Sequence, residues 1–503
     1  MPRMSPVADA LDPAACYAAL CSRDARFDGR FFVGVTSTGI YCRPVCRVRR
    51  PRSENCRFFR HAAQAEREGF RPCLRCRPEL APASIAWSAQ DAGALLAREA
   101  ARRLDAPEAL PEGPVMPALA ARLGVTDRHL RRVFEAHWGV SPLQYLQTRR
   151  LLTAKQLLAD TRLPVTQVAA LSGFASLRRF NAAFMEHYRL SPTGLRREGT
   201  EAAGADASCT VRLGLRPPYD AQALLAFFAA RGLPGVERID TDRAEWSRSL
   251  ALSCGGQVHA GWFTLRFEPQ AAQARLEVSG GLQPALPAVI RRVREALDLD
   301  ADPEAIHAVL GADFPDGAGL RVPGGACGFE LAVRAVLGQQ VTVAAARTFA
   351  QRLVARFGEP LATPLPGIDR LFPRADVLAA ASGDDLGALG IVRQRQAALR
   401  ALAQAVAQER IALHGGAPLA DTVAQLAGLP GIGPWTAQYI AMRALRWPDA
   451  FPAGDVALHH ALGLREQRQP QRAAEARAEA WRPWRSYALV RAWAGLYRPR
   501  RSP

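Results

Sequence analysis

The sequence predicts a multidomain α+β protein that is mainly helical. Its 503 residues exceed what one ordinary hydrophobic core organises, and the 49% of apolar residues can fill several cores. The hydrophobic spacing changes along the chain, from a cysteine-rich segment to helical periodicity, then to strand alternation, then to helical periodicity again. We therefore expect a small cysteine-rich domain, a helical bundle, an antiparallel α+β subdomain and a second helical domain, in that order.

The charge of the chain predicts a polyanionic partner. The net charge is +18 and the pI is about 10.3, which is typical of proteins that bind nucleic acid. Lys155 is the only lysine among 65 basic residues, and base composition can explain that choice of arginine, but it does not explain the excess of positive charge. No apolar run is long enough to span a membrane and the first residues lack the apolar core of a secretory signal, so a cytoplasmic protein without a membrane partner is expected.

Residues 1–82 contain the cysteine-rich segment, which we interpret as a metal site. Cys42 and Cys46 form a C-x3-C pair, Cys73 and Cys76 form a C-x2-C pair, and 26 residues separate the pairs. This spacing brings four thiolates around one tetrahedral Zn²⁺. The alternative, four unrelated buried thiols, would leave two close pairs in a polar stretch that buries little. The surrounding arginines then serve as counter-charges to a site that is formally negative.

The motifs "TSTGIYCRPVCRVRR" and "GFRPCLRC" resemble the N-terminal domain of the Ada methylation-response proteins. The resemblance implies one Zn²⁺ held by these four cysteines, with Cys42 accepting a methyl group from a DNA methylphosphotriester. Methylation would lower the negative charge of the site, and we expect Arg43, Arg47 and Arg49 then to contact phosphates. A purely structural zinc domain is the alternative. No Cys-His dipeptide occurs, so the second alkyl-transfer domain of that family is not expected.

Residues 85–198 contain a divergent repeat that predicts two helix-turn-helix units. Residues 130–142 recur as residues 180–192, with phenylalanine and Ser-Pro at matching places 50 residues apart, and Gly124 and Gly173 mark the turns. A helix over about 143–158 connects the units. The whole of 110–197 resembles the DNA-binding domain of AraC-type transcription activators, which implies promoter DNA and RNA polymerase as partners.

A polar linker is expected over residues 199–208, followed by an α+β subdomain over 209–300. Alternation predicts antiparallel strands in "TVRLGLRPP", "SRSLALSCGG", "WFTLRFEP" and "ARLEVSGGL", covered by a helix in "YDAQALLAFFAARG". Residues 301–503 return to helical spacing.

A helix-hairpin-helix is predicted at "LAGLPGIGPWTAQYIAMRAL". Gly431 and Gly433 allow a close turn whose backbone N–H groups can face a DNA phosphate. Asp455 follows Gly433 by 22 residues, the spacing that marks the hairpin-Gly/Pro-Asp glycosylases.

Residues 209–500 resemble 3-methyladenine DNA glycosylase II, the AlkA family, over nearly their full length. The resemblance implies Asp455 as the catalytic carboxylate and Trp493, Tyr439 and Trp435 as aromatic residues of the base pocket. Gln340 stands where the family places the wedge that fills the gap left by a flipped base, although a known relative has leucine there.

The positions of the lysine and of the last cysteine argue against strand nicking and against an iron-sulfur cluster in the C-terminal region. Glycosylases that also nick DNA form a Schiff base through a hairpin lysine, whereas Trp435 stands in that neighbourhood and Lys155 is far away in sequence. No cysteine follows Cys327, so no iron-sulfur cluster is expected in the hairpin domain. The sequence thus predicts a monomeric alkylation-repair fusion with a monofunctional glycosylase. The alternative is a methylation-responsive regulator whose C-terminal domain binds DNA without catalysis.

Overall fold

The computed structural model describes residues 11–82, 92–105, 115–197, 208–254 and 256–497. The chain divides into two compact units. The first contains the described residues up to 197 together with 214–217, and the second contains 208–213 and the described residues from 218 onward. The predicted linker 199–208 lies outside the described residues except for Ser208, which begins a strand.

The cysteine-rich part of the first unit is built on a small four-stranded sheet, which the sequence did not predict. Its elements are α1 (Pro13–Ser22), β1 (Phe32–Val35), β2 (Ile40–Cys42), β3 (Cys56–Phe59), α2 (Ala62–Arg67) and β4 (Arg71–Pro72). The strand order is β3-β1-β2-β4, and only the β2–β4 pairing is parallel among the pairings described. The sheet buries Phe32, Tyr41 and Phe70 together with Leu152 from a later helix, so this part shares its core with the helical bundle.

The helical bundle of the first unit confirms the predicted repeat. Its helices are α3 (Ala92–Leu104), α4 (Val115–Arg122), α5 (Asp127–Trp138), α6 (Pro142–Asp160), α7 (Val165–Leu171), α8 (Leu177–Tyr188) and α9 (Pro192–Arg197). The pairs α4–α5 and α7–α8 are the two helix-turn-helix units, and α6 connects them. Gly124 and Gly173 adopt φ values of +68° and +79° in the turns, a conformation that side chains disfavour.

The second unit begins with a five-stranded sheet. Its strands are β5 (Ser208–Gly214), β6 (Glu237–Asp240), β7 (Glu245–Cys254), β8 (Gln257–Glu268) and β9 (Gln273–Ser279), in the order β5-β9-β8-β7-β6. The sequence missed β6, which is short and polar. Helix α10 (Ala221–Arg231) packs on the sheet, with the ring centres of Phe228 and Trp246 5.1 Å apart.

A helical domain completes the second unit and contains its largest core. Its helices are α11 (Leu286–Leu297), α12 (Pro303–Leu310), α13 (Gly328–Leu337), α14 (Val343–Phe357), α15 (Ala375–Ala380), α16 (Gly383–Ala388), α17 (Arg393–Ala407), α18 (Leu419–Ala427), α19 (Pro434–Arg443), α20 (Val456–Ala461), α21 (Pro470–Ala478) and α22 (Arg485–Tyr497). A buried ion pair joins this domain to the sheet, because Arg248 of β7 donates to Glu330 of α13 at 2.6 Å. Among the described residues, no helix has both the length and the hydropathy needed to cross a membrane.

Candidate functional sites

The parallel pairing of β2 with β4 places the two cysteine pairs together. Tyr41 lies opposite Pro72 in this register, and the N–H of Cys73 donates to the Tyr41 carbonyl at 2.9 Å. Cys42 and Cys73 therefore stand side by side at the carboxyl ends of the two strands. A tight turn after each strand returns Cys46 and Cys76 to the same point.

The four sulfurs form a site of the size that a tetrahedral zinc requires. All four lie within 4.8 Å of one another, and the sulfurs of Cys46 and Cys73 are 4.0 Å apart. Zinc-sulfur bonds of about 2.3 Å put the edges of a tetrahedron at about 3.8 Å, so the site fits Zn²⁺ closely. Cys42, Cys46 and Cys73 are buried, and Cys76 is half-buried.

The protons of these thiols are strongly interdependent. The pKa of Cys42 is raised by its hydrogen bonds, first with Cys46 and second with Cys73 in order of effect. The pKa of Cys73 is lowered by its hydrogen bonds, first with Cys42 and second with Cys46. Four adjacent sulfurs cannot all ionise unless a cation balances their negative charge. A bound structural metal ion would supply that positive charge.

The arginines near the cysteines have different environments. The N–H of Arg43 donates to the Cys76 sulfur at 3.3 Å, and its guanidinium pairs with buried Asp28 and donates to the Cys76 carbonyl at 3.0 Å. Arg43 is therefore part of the framework of the site rather than a free phosphate contact. Arg47 and Arg49 are exposed.

A buried charge network, which we call the Lys155 network, joins the cysteine site to α6. Lys155 is 1% exposed, and its ammonium pairs with Glu79 and donates to the carbonyl of Cys73 at 3.4 Å. Arg77 extends the network, since it bonds Glu79 at 2.9 Å and Asp160 at 2.6 Å. The sequence analysis noted Lys155 only as the single lysine, far in sequence from the hairpin, and did not connect it with the cysteine site.

Glu66 forms a second connection between α2 and the bundle. Its carboxylate accepts from the Tyr41 hydroxyl at 2.9 Å and from the Thr148 hydroxyl of α6 at 2.6 Å. His187, near the end of α8, lies 3.2 Å from the same carboxylate, and this hydrogen bond raises the pKa of His187. Glu66 therefore joins the cysteine-rich part to the connecting helix α6 and to the second helix-turn-helix unit.

The second helix of each helix-turn-helix unit presents a polar face to solvent. Thr126 caps α5 by accepting from the His129 N–H at 3.2 Å, and Ser176 caps α8 by accepting from the Arg179 N–H. The inward faces are apolar, with Phe134 and Phe184 fully buried at matching places. The exposed side chains of the first turns include Arg128 and Arg132 on α5 and Arg178, Arg179 and Asn181 on α8. This pattern suits a pair of helices that read major grooves.

The predicted hairpin is present as α18, a turn and α19. Gly431 has φ +75°, and an added methyl group would lie 3.0 Å from the Ala398 side chain, so the turn needs glycine for both conformation and space. Gly433 caps α19 with open space around it. Gln339, which the sequence did not single out, ties the loop before α14 to the hairpin by donating to the Gly431 carbonyl at 2.8 Å.

Gln340 follows at the tip of that loop. It is exposed, and its φ of +53° is unusual for a residue with a side chain. Backbone conformations of this kind are found most often at active sites and ligand-binding sites.

Asp455 is held rigidly at the start of α20. It is 8% exposed, and its Oδ1 accepts from the Leu458 N–H at 2.7 Å, as a helix N-cap does. Two indole groups complete its surroundings: the Trp493 Nε1–H donates to Oδ1 at 2.9 Å, and the Trp435 Nε1–H donates to Oδ2 at 3.2 Å. The structure thus brings to Asp455 two tryptophans that lie 20 and 38 positions from it along the chain.

The aromatic residues form one continuous wall beside this carboxylate. Trp435 stacks on Tyr439 with ring centres 5.1 Å apart and planes 17° apart, and the Tyr439 ring centre lies 6.5 Å from that of Trp493. The predicted pocket residues therefore cluster. Arg443, which the sequence did not indicate, donates to the Tyr439 hydroxyl from one helical turn away.

Comparison with known proteins agrees with each of these regions. Residues 15–79 match the metal binding domain of Ada, and residues 119–198 match a helix-turn-helix domain. Residues 210–326 match the AlkA N-terminal domain, and residues 333–486 match the HhH-GPD superfamily of base excision DNA repair proteins.

One relative aligns along almost the whole chain. The probable bifunctional transcriptional activator/DNA repair enzyme AlkA of Mycobacterium tuberculosis is 40% identical over 498 residues, which cover 96% of each protein. The chain belongs to this family. DNA-3-methyladenine glycosylase 2 of Escherichia coli is 34% identical over 281 residues, covering 56% of this chain and 95% of that protein. The bifunctional activator/repair enzyme Ada of Escherichia coli is 36% identical over 148 residues, covering 29% of this chain and 39% of that protein.

Membership of the bifunctional activator/DNA repair family confirms the predicted fold class and function class. The protein is a DNA-binding repair enzyme with a helix-hairpin-helix glycosylase domain, a double helix-turn-helix and a zinc domain of the Ada type. Its cofactor is Zn²⁺ at the four-cysteine site.

Proposed function

We propose that the C-terminal half hydrolyses the N-glycosidic bond of alkylated bases of the 3-methyladenine type, with Asp455 as the catalytic carboxylate. The observation that carries this proposal is the pair of indole N–H groups that hold the Asp455 carboxylate against an aromatic wall. A purine alkylated at N3 or N7 is cationic, and aromatic faces attract such a base by stacking and by cation-π interaction.

The hydrogen bonds of Asp455 leave its carboxylate with one position free for substrate. A carboxylate has roughly four lone-pair sites, and the Leu458, Trp493 and Trp435 donors occupy three of them. The remaining site can face the sugar. As the carbon-nitrogen bond breaks, its electron pair goes to the base, which leaves neutral, and positive charge develops on the sugar. Asp455 stabilises that charge, and water then adds to the sugar carbon and releases a proton.

The reaction requires no lysine, and this supports a glycosylase without strand-nicking activity. Lys155, the only lysine, is buried in an ion pair within the first unit. Gly431, Gly433 and Gln340 are proposed DNA contacts of the second unit, the glycines through backbone N–H groups and Gln340 as the wedge.

We propose that Cys42 is the methyl acceptor of the zinc domain. When bound, Zn²⁺ keeps the four sulfurs as thiolates at neutral pH. The Cys42 sulfur attacks the methyl carbon of a methylphosphotriester, the carbon-oxygen bond breaks, and its electron pair stays on the phosphate as an ordinary phosphodiester anion. Cys42 becomes a neutral thioether, so the site loses one negative charge. Exposed Arg47 and Arg49 then approach the DNA backbone against less repulsion, whereas Arg43 is proposed to maintain the site through Asp28.

The methylated form is proposed to activate transcription of repair genes. Promoter DNA and RNA polymerase are its proposed partners, the monomer is its proposed state, and the cytoplasm, where thiols stay reduced, is its proposed location. We propose that the domain boundaries are those predicted from the sequence, at residues 1–82, 85–198, 209–300 and 301–503.

The glycosylase proposal is tested by incubating alkylated duplex DNA with wild type and with Asp455→Asn, then measuring free 3-methyladenine. We expect the variant to release base at least about 100-fold more slowly, because the charge that stabilises the sugar is lost. Asp376→Asn, an exposed surface carboxylate paired with Arg374, serves as the matched control and should keep full activity. No release by either protein would favour a regulator that binds DNA without catalysis.

The acceptor proposal is tested by mass spectrometry of peptides after exposure to methylphosphotriester DNA. A methyl group on Cys42 supports the proposal. Because Cys42 is 5% exposed and Cys76 is more open, a methyl group on Cys76 would reassign the acceptor. The absence of any methylated cysteine would leave a structural zinc domain.

A further inference from the structure

A cluster of arginines lies beside Tyr439, one of the residues of the aromatic wall. The Arg443 guanidinium donates to the Tyr439 hydroxyl and to the Pro323 carbonyl, the latter at 2.8 Å. It also lies 5.2 Å from the Tyr439 ring centre and 4.9 Å from that of Phe227. The Arg231 guanidinium lies 3.7 Å from the same Phe227 ring centre. Nothing in the proposed mechanism uses this cluster.

The direction of the hydrogen bond between Arg443 and Tyr439 is unambiguous. A guanidinium has no acceptor, so the Tyr439 oxygen must accept, and the phenol hydrogen must point elsewhere. Among the residues that the structure describes, the Tyr439 hydroxyl makes this hydrogen bond as an acceptor and none as a donor. Arg443 thereby leaves the Tyr439 hydroxyl hydrogen available to an acceptor on another molecule.

The cluster also sets the electrostatic field of the wall. Burial would raise the pKa of Tyr439, but the charges of Arg443, Arg231 and Arg334 and the hydrogen bond from Arg443 together leave that pKa below its ordinary value. Burial, together with the neighbouring charges of Arg231 and Arg334, lowers the pKa of Arg443. Contacts run in sequence from Arg443 through Tyr439 and Trp435 to Asp455, with positive charge at one end and negative charge at the other.

We propose that Arg443 is a positioning residue of the glycosylase: it fixes the Tyr439 hydroxyl as a hydrogen-bond donor to the flipped base and places positive charge on the base side of the site, opposite Asp455. This inference rests on the proposed function. Its substrate class is a base with a ring nitrogen or a carbonyl oxygen as acceptor.

The placement favours bond cleavage over substrate binding. In the bound cationic base, positive charge lies next to Arg443, which is unfavourable. In the transition state that charge moves toward the sugar and Asp455, so both ends of the site favour the movement. At the same time the departing base gains electron density, which strengthens its hydrogen bond with Tyr439. Arg443 therefore acts on the rate of cleavage rather than on affinity.

A double-mutant cycle tests this inference. Single-turnover release of 7-methylguanine from duplex DNA is measured for wild type, Arg443→Met, Tyr439→Phe and the double variant. We expect each single variant to be about tenfold slower, the size of one hydrogen bond that forms fully only in the transition state. We expect the loss in the double variant to stay well below a hundredfold, because the part of the Arg443 effect that acts through the phenol is already lost in Tyr439→Phe. The half-saturating DNA concentration should stay unchanged or fall in Arg443→Met.

The pH dependence gives a readout that a merely structural role would not change. At alkaline pH the phenol loses its hydrogen, so the wild-type rate should fall. That fall should move to higher pH in Arg443→Met, because the cation that lowers the Tyr439 pKa is gone, and it should vanish in Tyr439→Phe. Thermal unfolding of each variant verifies that it is folded. Arg443→Lys keeps the positive charge but not the planar guanidinium, so its rate of base release should lie between those of wild type and Arg443→Met. Arg374→Met, an exposed arginine paired with Asp376, is the matched control.

Three results would overturn the inference. The first is rate losses that multiply to about a hundredfold in the double variant, and the second is an unchanged rate in Arg443→Met. The third is a raised half-saturating concentration at full rate, which indicates loss of binding or of folding. Failure of wild type to release any methylated base would overturn the proposed function instead, and this inference with it.

Discussion

Replacing Lys155 by methionine removes one charge from the Lys155 network and keeps most of the side-chain volume. Wild type buries two cations, Lys155 and Arg77, against two anions, Glu79 and Asp160, with side-chain exposures of 2%, 11%, 1% and 2%. The variant leaves this network with a net charge of −1 next to the carbonyl of Cys73. A buried charge left without compensation is the costliest outcome of such a change.

The expected cost is about 3 kcal/mol in the free energy of unfolding of the first unit. Breaking a buried ion pair typically costs about 3–5 kcal/mol, and the lower end applies because Arg77 still bonds Glu79 at 2.9 Å. A matched double variant, Lys155→Met with Glu79→Gln, restores neutrality. We expect it to recover most of the loss, to within about 1 kcal/mol of wild type.

Native-state hydrogen exchange read by mass spectrometry measures this cost locally. Peptides from α6 should exchange about 100-fold faster in Lys155→Met, since about 1.4 kcal/mol corresponds to a factor of ten. Peptides from α19 in the second unit provide the internal control and should not change. The reasoning would be wrong if α6 exchange in Lys155→Met stayed within threefold of wild type. It would also be wrong if the double variant exchanged as fast as the single one.

Four further outcomes are expected. Trp493→Phe should slow base release about tenfold, because Asp455 loses one charge-assisted hydrogen bond, and single-turnover kinetics measures this. Gly431→Ala should destabilise the second unit by about 1–2 kcal/mol in urea unfolding, because its φ is +75° and the new methyl group would lie 3.0 Å from a neighbouring side chain. The hydrogen bond with Glu66 raises the pKa of His187, so its contribution to stability is fully present below about pH 6.5 and is lost as pH rises through the raised value. Exchange protection of α8 should fall over that interval in wild type and not in His187→Gln. Removal of zinc by a chelator should abolish methyl transfer while the rate of base release stays unchanged.

Each of these outcomes has a result that contradicts it. Full activity in Trp493→Phe would mean that the indole N–H does not support the carboxylate. An unchanged urea midpoint in Gly431→Ala would show that the turn relaxes without cost. Exchange protection of α8 that does not change as pH rises above about 6.5 in wild type would remove the role of the histidine. Loss of base release with the metal would couple two reactions that we treat as independent.

Short-range patterns predicted the sites because their chemistry is local. The spacing of Cys42, Cys46, Cys73 and Cys76 indicated four thiolates at one point, and the structure brings the sulfurs within 4.8 Å of one another. The repeat at 50 residues indicated two helix-turn-helix units, whose turns contain glycines at positive φ. The resemblance to known glycosylases placed Asp455 beside tryptophans, and the structure shows both indole contacts.

The sequence by itself determined which residue types lie in each region, because metal ligands, turn glycines and helix caps act on neighbours a few positions away. Only the tertiary structure decided what surrounds them. Lys155 pairs with Glu79 across 76 residues, and Arg443 reaches the Pro323 carbonyl across 120. No local pattern specifies such contacts, since they depend on how packed helices orient side chains in the core. Arg43 likewise looks like the exposed arginines of the zinc domain in sequence, and only its ion pair with buried Asp28 distinguishes it.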